Sequence, residues 1–177
     1  MTDDQGTQSS GGIFSEVDAE EAPVLNPEVG QVVGHLRLTE KLGEGAMAAV
    51  FRAEEVATGQ PVAVKVLKDI HDADDTARLW VELRSLQRVL HPCILRTLDM
   101  GRSGRGLNYI VMELLEGRTL RDRMMAQGRM AVDEVLPLLR QVFEALEACH
   151  HHGVIHRDVK PENVFLLDGT SREPRVK

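Results

Sequence analysis

HLRLTEKLGEGAMAAVFRAEEVATGQPVAVKVLK, residues 35–68, is the stretch that decides the fold. Apolar and polar residues alternate through it, the period-two pattern of strands with one buried face. GEGAMA at 43–48 and ATGQP at 57–61 interrupt the pattern, as turns do. The reading is three antiparallel strands, about 35–43, 48–56 and 61–68. Lys65 stands in VAVKVL with apolar neighbours on both sides, and alternation puts Ala63 and Lys65 on one face and Val62, Val64 and Val66 on the other. A lysine there either snorkels at an edge or meets an anionic partner.

Downstream, Leu79, Leu83, Leu86 and Leu90 step by four, three and four, which predicts a helix over about 74–90, ended by His91-Pro92. Glu82 flanks that apolar stripe, where an unpaired carboxylate is costly, so Lys65–Glu82 is the natural pair. CILRTLDMGR (93–102) and GLNYIVMEL (106–114) read as two more strands joined by a glycine-rich loop. Thr119 and Asp122 have the spacing of a capping box, opening a short helix to about Gln127. A longer helix follows over about 132–150, with Val135, Leu139, Val142, Leu146 and Cys149 on one face. Leu136, Leu138 and Phe143 lie off that line, and a helix with so many apolar positions is made to be buried on several sides. VFLLDG reads as a strand and turn, and RVK at 175–177 as the start of another strand.

Before this pattern begins, residues 1–33 are rich in Asp, Glu, Ser, Gly and Pro and read as a disordered acidic leader. The whole 177-residue chain is 42% hydrophobic and 28% charged, near globular averages, so a core is expected. A net charge of −7 argues against nucleic-acid and anionic-membrane surfaces. No run of eighteen apolar residues and no secretion signal is present, and Cys93 and Cys149 read as reduced thiols in a cytoplasmic protein.

Three constellations carry chemistry. GEGAMA is by itself either a plain turn or a phosphate-binding loop. Because Ala49, Val50 and Phe51 continue as a strand, it forms a strand–turn–strand flap whose backbone N–H groups could lie over a polyphosphate. HRDVKPEN at 156–163 places Asp158, Lys160 and Asn163 in one irregular segment, either solvated surface or a site. Apolar GVI before it and VFLL after it suggest anchoring on both sides. A carboxylate, an ammonium and an amide together suit a base near a hydroxyl, a cation on a transferring phosphoryl group and a ligand for Mg²⁺. The run HHH at 150–152 does not suit one metal, since consecutive helical residues diverge by about 100°.

In order and spacing, GEGAMAAV, VAVK, Glu82 before His-Pro, YIVMELLEG and HRDVKPEN resemble the eukaryotic-type protein kinase family, from about Gly34 to Lys177. The resemblance implies an α+β fold: an N-lobe of five antiparallel strands plus one helix over about 34–115, then the first part of a helical C-lobe over about 116–177. It implies serine/threonine specificity from the DVKPEN lysine, protein substrates, and ATP with Mg²⁺ as cofactors. By resemblance, Lys65 holds the α- and β-phosphates and Glu82 orients it. Asp158 serves as base, Lys160 stabilises the γ-phosphoryl group, and Asn163 is a metal ligand. Leu42, Gly43, Glu44, Gly45, Ala46, Met47, Ala48, Val50 and Ala63 would line the nucleotide. Met112 would be gatekeeper, with Glu113 and Leu115 offering backbone groups to adenine.

Two features depart from the family pattern. Ala46 and Ala48 replace glycines usual in bacterial members, which predicts a stiffer flap. The family's metal-binding DFG does not occur in the 177 residues, so the resemblance implies a domain truncated before that motif, or a split kinase awaiting a completing chain. The alternative function is a nucleotide-binding or regulatory fragment without transferase activity.

Overall fold

A computed structural model of the chain describes residues 27–68, 80–81, 87–104, 106–169 and 175–177. The expected strand pattern folds as β1 (Val32–Val33), β2 (Leu36–Glu44), β3 (Ala48–Glu55) and β4 (Pro61–Leu67), with β5 (Thr97–Arg102) and β6 (Asn108–Met112) completing the sheet. Its order is β1-β2-β3-β4-β6-β5, antiparallel throughout. A second, three-stranded antiparallel sheet holds β7 (Gly117–Thr119), β8 (Phe165–Leu167) and β9 (Arg175–Val176), in the order β7-β8-β9. Two helices lie between β7 and β8: α1 (Leu120–Gln127) and α2 (Val132–His151). Trp80, Val81 and Gln87 are helical, whereas the rest of the expected 74–90 helix up to Leu86, Glu82 included, lies outside the described residues.

Alternation explains the first core directly. Val62, Val64 and Val66 point inward from β4, where they meet Phe51 and Ala53 of β3, Leu36 and Leu38 of β2, and Tyr109 and Val111 of β6. Phe51, Val64 and Val66 are fully buried. With only 3% aromatic residues in the chain, valine is the commonest filler, five of the eleven buried residues of this cluster, and its β-branched side chain packs well on a pleated surface.

The sheet has one strand more than the five expected. β1 pairs Val32 with Arg37 and Val33 with Leu36, and Val33 is 2% exposed. Two residues are too short to show a period, so the sequence boundary at 33/34 falls inside this ordered edge. Gly34 makes the tight β1–β2 turn at φ +63, and a Cβ on it would come 2.2 Å from the Tyr109 hydroxyl. Both facts demand glycine there.

The second core is smaller. Leu138 of α2 packs on Val164, Leu166 and Val176, with Cys93, Leu120, Met130 and Val142 around them. Here the helix face differs from expectation: Leu138 is 2% exposed, and Leu139 is 41% exposed. The buried line of α2 therefore passes through Leu138 and Cys149 rather than Leu139, because the small sheet docks on that side. The capping box forms as expected, with Thr119 Oγ1 accepting from the Asp122 N–H at 3.0 Å. β7 was not anticipated; it pairs with β8 just ahead of that cap.

Candidate active site

Strand register builds one wall. Gly43 pairs with Val50, Val50 with Lys65, and Lys65 with Ile110, so these form a single cross-strand row. Ala63 pairs with Met112 in the next row, two residues along and on the same face. Both rows face away from the Val62–Val64–Val66 core, as the sequence alternation implies. Lys65 is exposed on this face, Val50 and Met112 are half-buried, and the nearby Leu42 is 48% exposed. One ammonium thus sits among apolar side chains with room for a ligand.

Above that wall lies the flap between β2 and β3. The only non-glycine residue of positive φ among the described residues is Arg157, so Ala46 and Ala48 take ordinary backbone conformations. The strain expected of alanine at these positions is therefore not imposed. A Cβ on Gly43 would meet nothing within 4 Å, and one on Gly45 only Ala48 O at 3.8 Å. The tip, Met47, is 83% exposed. Open space over two glycines with a cation below is a geometry that fits a polyphosphate.

At the other end of β6, Glu113 joins the two sheets. Its N–H donates to Arg96 O at 3.1 Å, which leaves its carbonyl as the backbone group available to a ligand. Its carboxylate accepts from Arg96 N–H at 2.8 Å and from the Lys177 ammonium, which also reaches Ile94 O at 3.3 Å. Burial alone would push this carboxyl up, but the Lys177 and Arg96 hydrogen bonds outweigh it and hold Glu113 below the usual carboxylate range. Sequence reasoning missed this junction, because its partners lie 17 and 64 residues away.

The HRDVKPEN segment does converge. Lys160 Nζ is 2.8 Å from Asp158 Oδ2, and Asn163 Nδ2 donates to the same oxygen at 3.0 Å and to Asp158 O at 2.8 Å. Among the described residues neither bond involves Oδ1, which is left to accept from a hydroxyl. Lys160 first, then Asn163, hold the Asp158 carboxyl below its ordinary value, and Asp158 in turn raises Lys160. The carboxylate is therefore ionised at neutral pH. Arg157 has φ +63, a left-handed turn that sets Asp158 back toward His156, whose carbonyl accepts from the Asp158 N–H at 2.9 Å. Asn163 is placed by a 3₁₀ turn, Pro161–Asn163, which the Arg121–Glu162 ion pair ties to α1.

Anchoring is one-sided. Val164 and Leu166 are buried after the loop, whereas Ile155 and Val159 are 67% and 54% exposed. The histidines after Cys149 serve the helix end: His151 and His152 ring nitrogens each sit 2.9 Å from carbonyls of Glu147 and Ala148. Among the described residues no group of three or more His, Cys, Asp or Glu could hold a metal ion.

The chain thus carries a strand–flap–strand wall with a lysine, a hinge segment at Glu113–Leu115 between the two sheets, and a loop joining Asp158, Lys160 and Asn163. The protein kinase domain family matches residues 36–177, and the chain belongs to that family. It is 42% identical over 145 residues to the serine/threonine-protein kinase pkn2 of Myxococcus xanthus, covering 81% of this chain and 17% of that protein. To PknL of Mycobacterium tuberculosis it is 36% identical over 130 residues, 72% of this chain and 32% of PknL. The solved PknI kinase domain of M. tuberculosis superposes with a TM-score of 0.72 at 28% identity, covering 85% of this chain and 61% of that one. The chain thus spans less than a third of these two curated relatives.

Proposed function

We propose that this chain provides the nucleotide-binding and catalytic-loop portion of a serine/threonine protein kinase, moving the γ-phosphoryl group of ATP to protein hydroxyls. The observation that carries the reading is the convergence of Lys160 and Asn163 on one oxygen of Asp158, with the other oxygen free for a substrate hydroxyl. Lys65 binds the α- and β-phosphates, oriented by Glu82. Flap N–H groups from Gly43 to Ala48 cover them, with Glu44, Gly45, Ala46 and Met47 forming the turn. Leu42, Val50, Ala63 and Met112 wall the adenine, and the Glu113 carbonyl and Leu115 backbone meet its polar edge. Asp158 accepts the hydroxyl proton, and Lys160 shifts from Asp158 toward the γ-phosphoryl oxygens. Bound Mg²⁺, which Asn163 would ligate, supplies charge neutralisation between the phosphates. Further polypeptide, either more of the kinase domain or a completing chain, covers the apolar outer face of α2.

Titration of the 177-residue chain with a fluorescent ATP analogue plus Mg²⁺ tests this. Lys65→Met is expected to weaken binding at least about 10-fold, through loss of a charge-assisted phosphate contact. Asp158→Asn is expected to keep ATP affinity within about threefold while abolishing transfer to a serine peptide, since Asp158 acts on the hydroxyl. Binding indifferent to Lys65, or transfer that survives Asp158→Asn, would refute the assignment.

The second reading is a regulatory nucleotide-binding fragment without transferase activity. Its mark is tight Lys65-dependent binding with no transfer.

A further inference from the structure

The flap is held by one residue that the nucleotide-site reading leaves unused. Lys68 follows β4 directly, three positions after Lys65. Its N–H donates to Met47 O at 2.9 Å, on the β3 limb of the flap. Its ammonium pairs with Glu44 Oε1 and comes 3.4 Å from Gly45 O, on the β2 limb. Lys41 binds the second oxygen of the same Glu44 carboxylate. Within the flap, Gly45 N–H donates to Ala48 O at 2.8 Å. Lys68 is the covered member of the cluster: its side chain is 15% exposed, against 42% for Glu44 and 43% for Lys41.

A single residue thus reaches both limbs of the loop, the β3 limb through its backbone N–H and the β2 limb through its ammonium. We propose that Lys68 is a positioning residue that, by clamping Glu44 and Gly45, fixes the height of the flap above Lys65 for a nucleoside polyphosphate. The ligand part of this inference rests on the nucleotide-site reading; the clamp itself does not. Two consequences follow from the charges. Lys41 and Lys68 outnumber Glu44, so this three-residue cluster carries a net positive charge despite its carboxylate. Without Lys68 the flap would be both looser and less positive. Glu44 titrates down to about 2, chiefly through the Lys41 and Lys68 hydrogen bonds, so the clamp is fully charged at neutral pH.

Amide hydrogen exchange of the ligand-free chain separates the clamp from nucleotide binding. Lys68→Met is expected to speed exchange at Gly45 about 3- to 10-fold, the range for losing one or two exposed ion pairs, with Val64 in the sheet unchanged. Lys68→Arg is expected to restore protection. Glu44→Gln, which also releases Lys41, should loosen Gly45 at least as much as Lys68→Met does, and the double variant should be no looser than Glu44→Gln alone. Added salt at about 0.5 M should loosen the unmodified flap more than Lys68→Met, which keeps only the Lys41–Glu44 pair. Unchanged Gly45 exchange in Lys68→Met, or additive effects of the two substitutions, would overturn the clamp.

In a second arm, affinity for Mg-ATP should fall several-fold in Lys68→Met and recover in Lys68→Arg. A loosened flap with unchanged affinity would overturn the positioning role. A chain that binds no ATP at all, yet shows the exchange changes, would refute the nucleotide-site reading and retain the clamp.

Discussion

Glu113 and Lys177 show how one ion pair can matter more than its neighbours on the surface. Their side chains are 25% and 13% exposed, so water screens them less than it does Arg140–Glu144, at 48% or more. Each also bonds backbone from the 94–96 segment, so removing either strands polar groups. Glu113→Gln is expected to cost about 1–3 kcal/mol at pH 7, measured by urea denaturation. The sign with pH follows from Glu113 being held below its ordinary value. A depressed carboxyl stabilises the fold above its unfolded pKa, and that contribution is lost as pH falls through the folded value. The gap between the unmodified chain and Glu113→Gln should therefore narrow on acidification from pH 6 to pH 3. A constant gap would mean the pair is not what the substitution removes. At this scale the sequence was informative about Asp158, Lys160 and Asn163, because a short loop brings them together locally. It was silent on Glu113–Lys177 and on Lys68–Glu44, whose proximity depends on strand pairing.

Elements were easier to read than the faces they bury. β2, β3 and β4 were visible as alternation, β5 and β6 as two runs joined by a glycine-rich loop, α1 by its capping box and α2 by its helical period. The buried line on α2 was not, because Leu138 and Leu139 both fit a helical stripe and only docking against β8 and β9 chooses between them. This choice can be checked. Leu138→Ala is expected to cost about 2–5 kcal/mol and Leu139→Ala under about 1 kcal/mol, by urea denaturation of the same chain. Equal costs would restore the stripe through Leu139. β7 was invisible for a different reason: its first residue, Gly117, is needed for close approach rather than for pattern. It has φ +144, and a Cβ there would lie 2.0 Å from Leu166 O. Gly117→Ala should therefore unpair β7 from β8, lowering exchange protection at Asp168, whose N–H donates to Glu116 O at 2.9 Å, while leaving Val64 protected. Retained protection at Asp168 would show that the strand pair tolerates the side chain.

As a whole the molecule is unevenly cored. The large sheet encloses a dense cluster from Val33 to Val111, whereas the second cluster has Leu138, Val164, Leu166 and Val176 at its centre. On the outer side of α2, Val132, Leu136, Leu139 and Phe143 are 73%, 60%, 41% and 62% exposed. Leu136, Leu139 and Phe143 line a shallow groove with Arg140, Glu144 and His150. Surfaces of this kind seek cover. Leu136→Gln with Phe143→Gln is expected to reduce self-association of the 177-residue chain in sedimentation, with little change in stability; association unaffected by the pair would place the sticky surface elsewhere. Among the described residues no helix is long and apolar enough to cross a membrane.

The most direct test of the central claim, a kinase nucleotide site assembled from flap, β4 lysine and hinge, is hydrogen exchange of the chain with and without saturating Mg-ATP. Protection is expected to rise at Gly45–Ala48 in the flap and around Glu113–Leu115 in the hinge, and to vanish in Lys65→Met. Protection confined to the α2 groove, or none at flap and hinge at saturation, would contradict it.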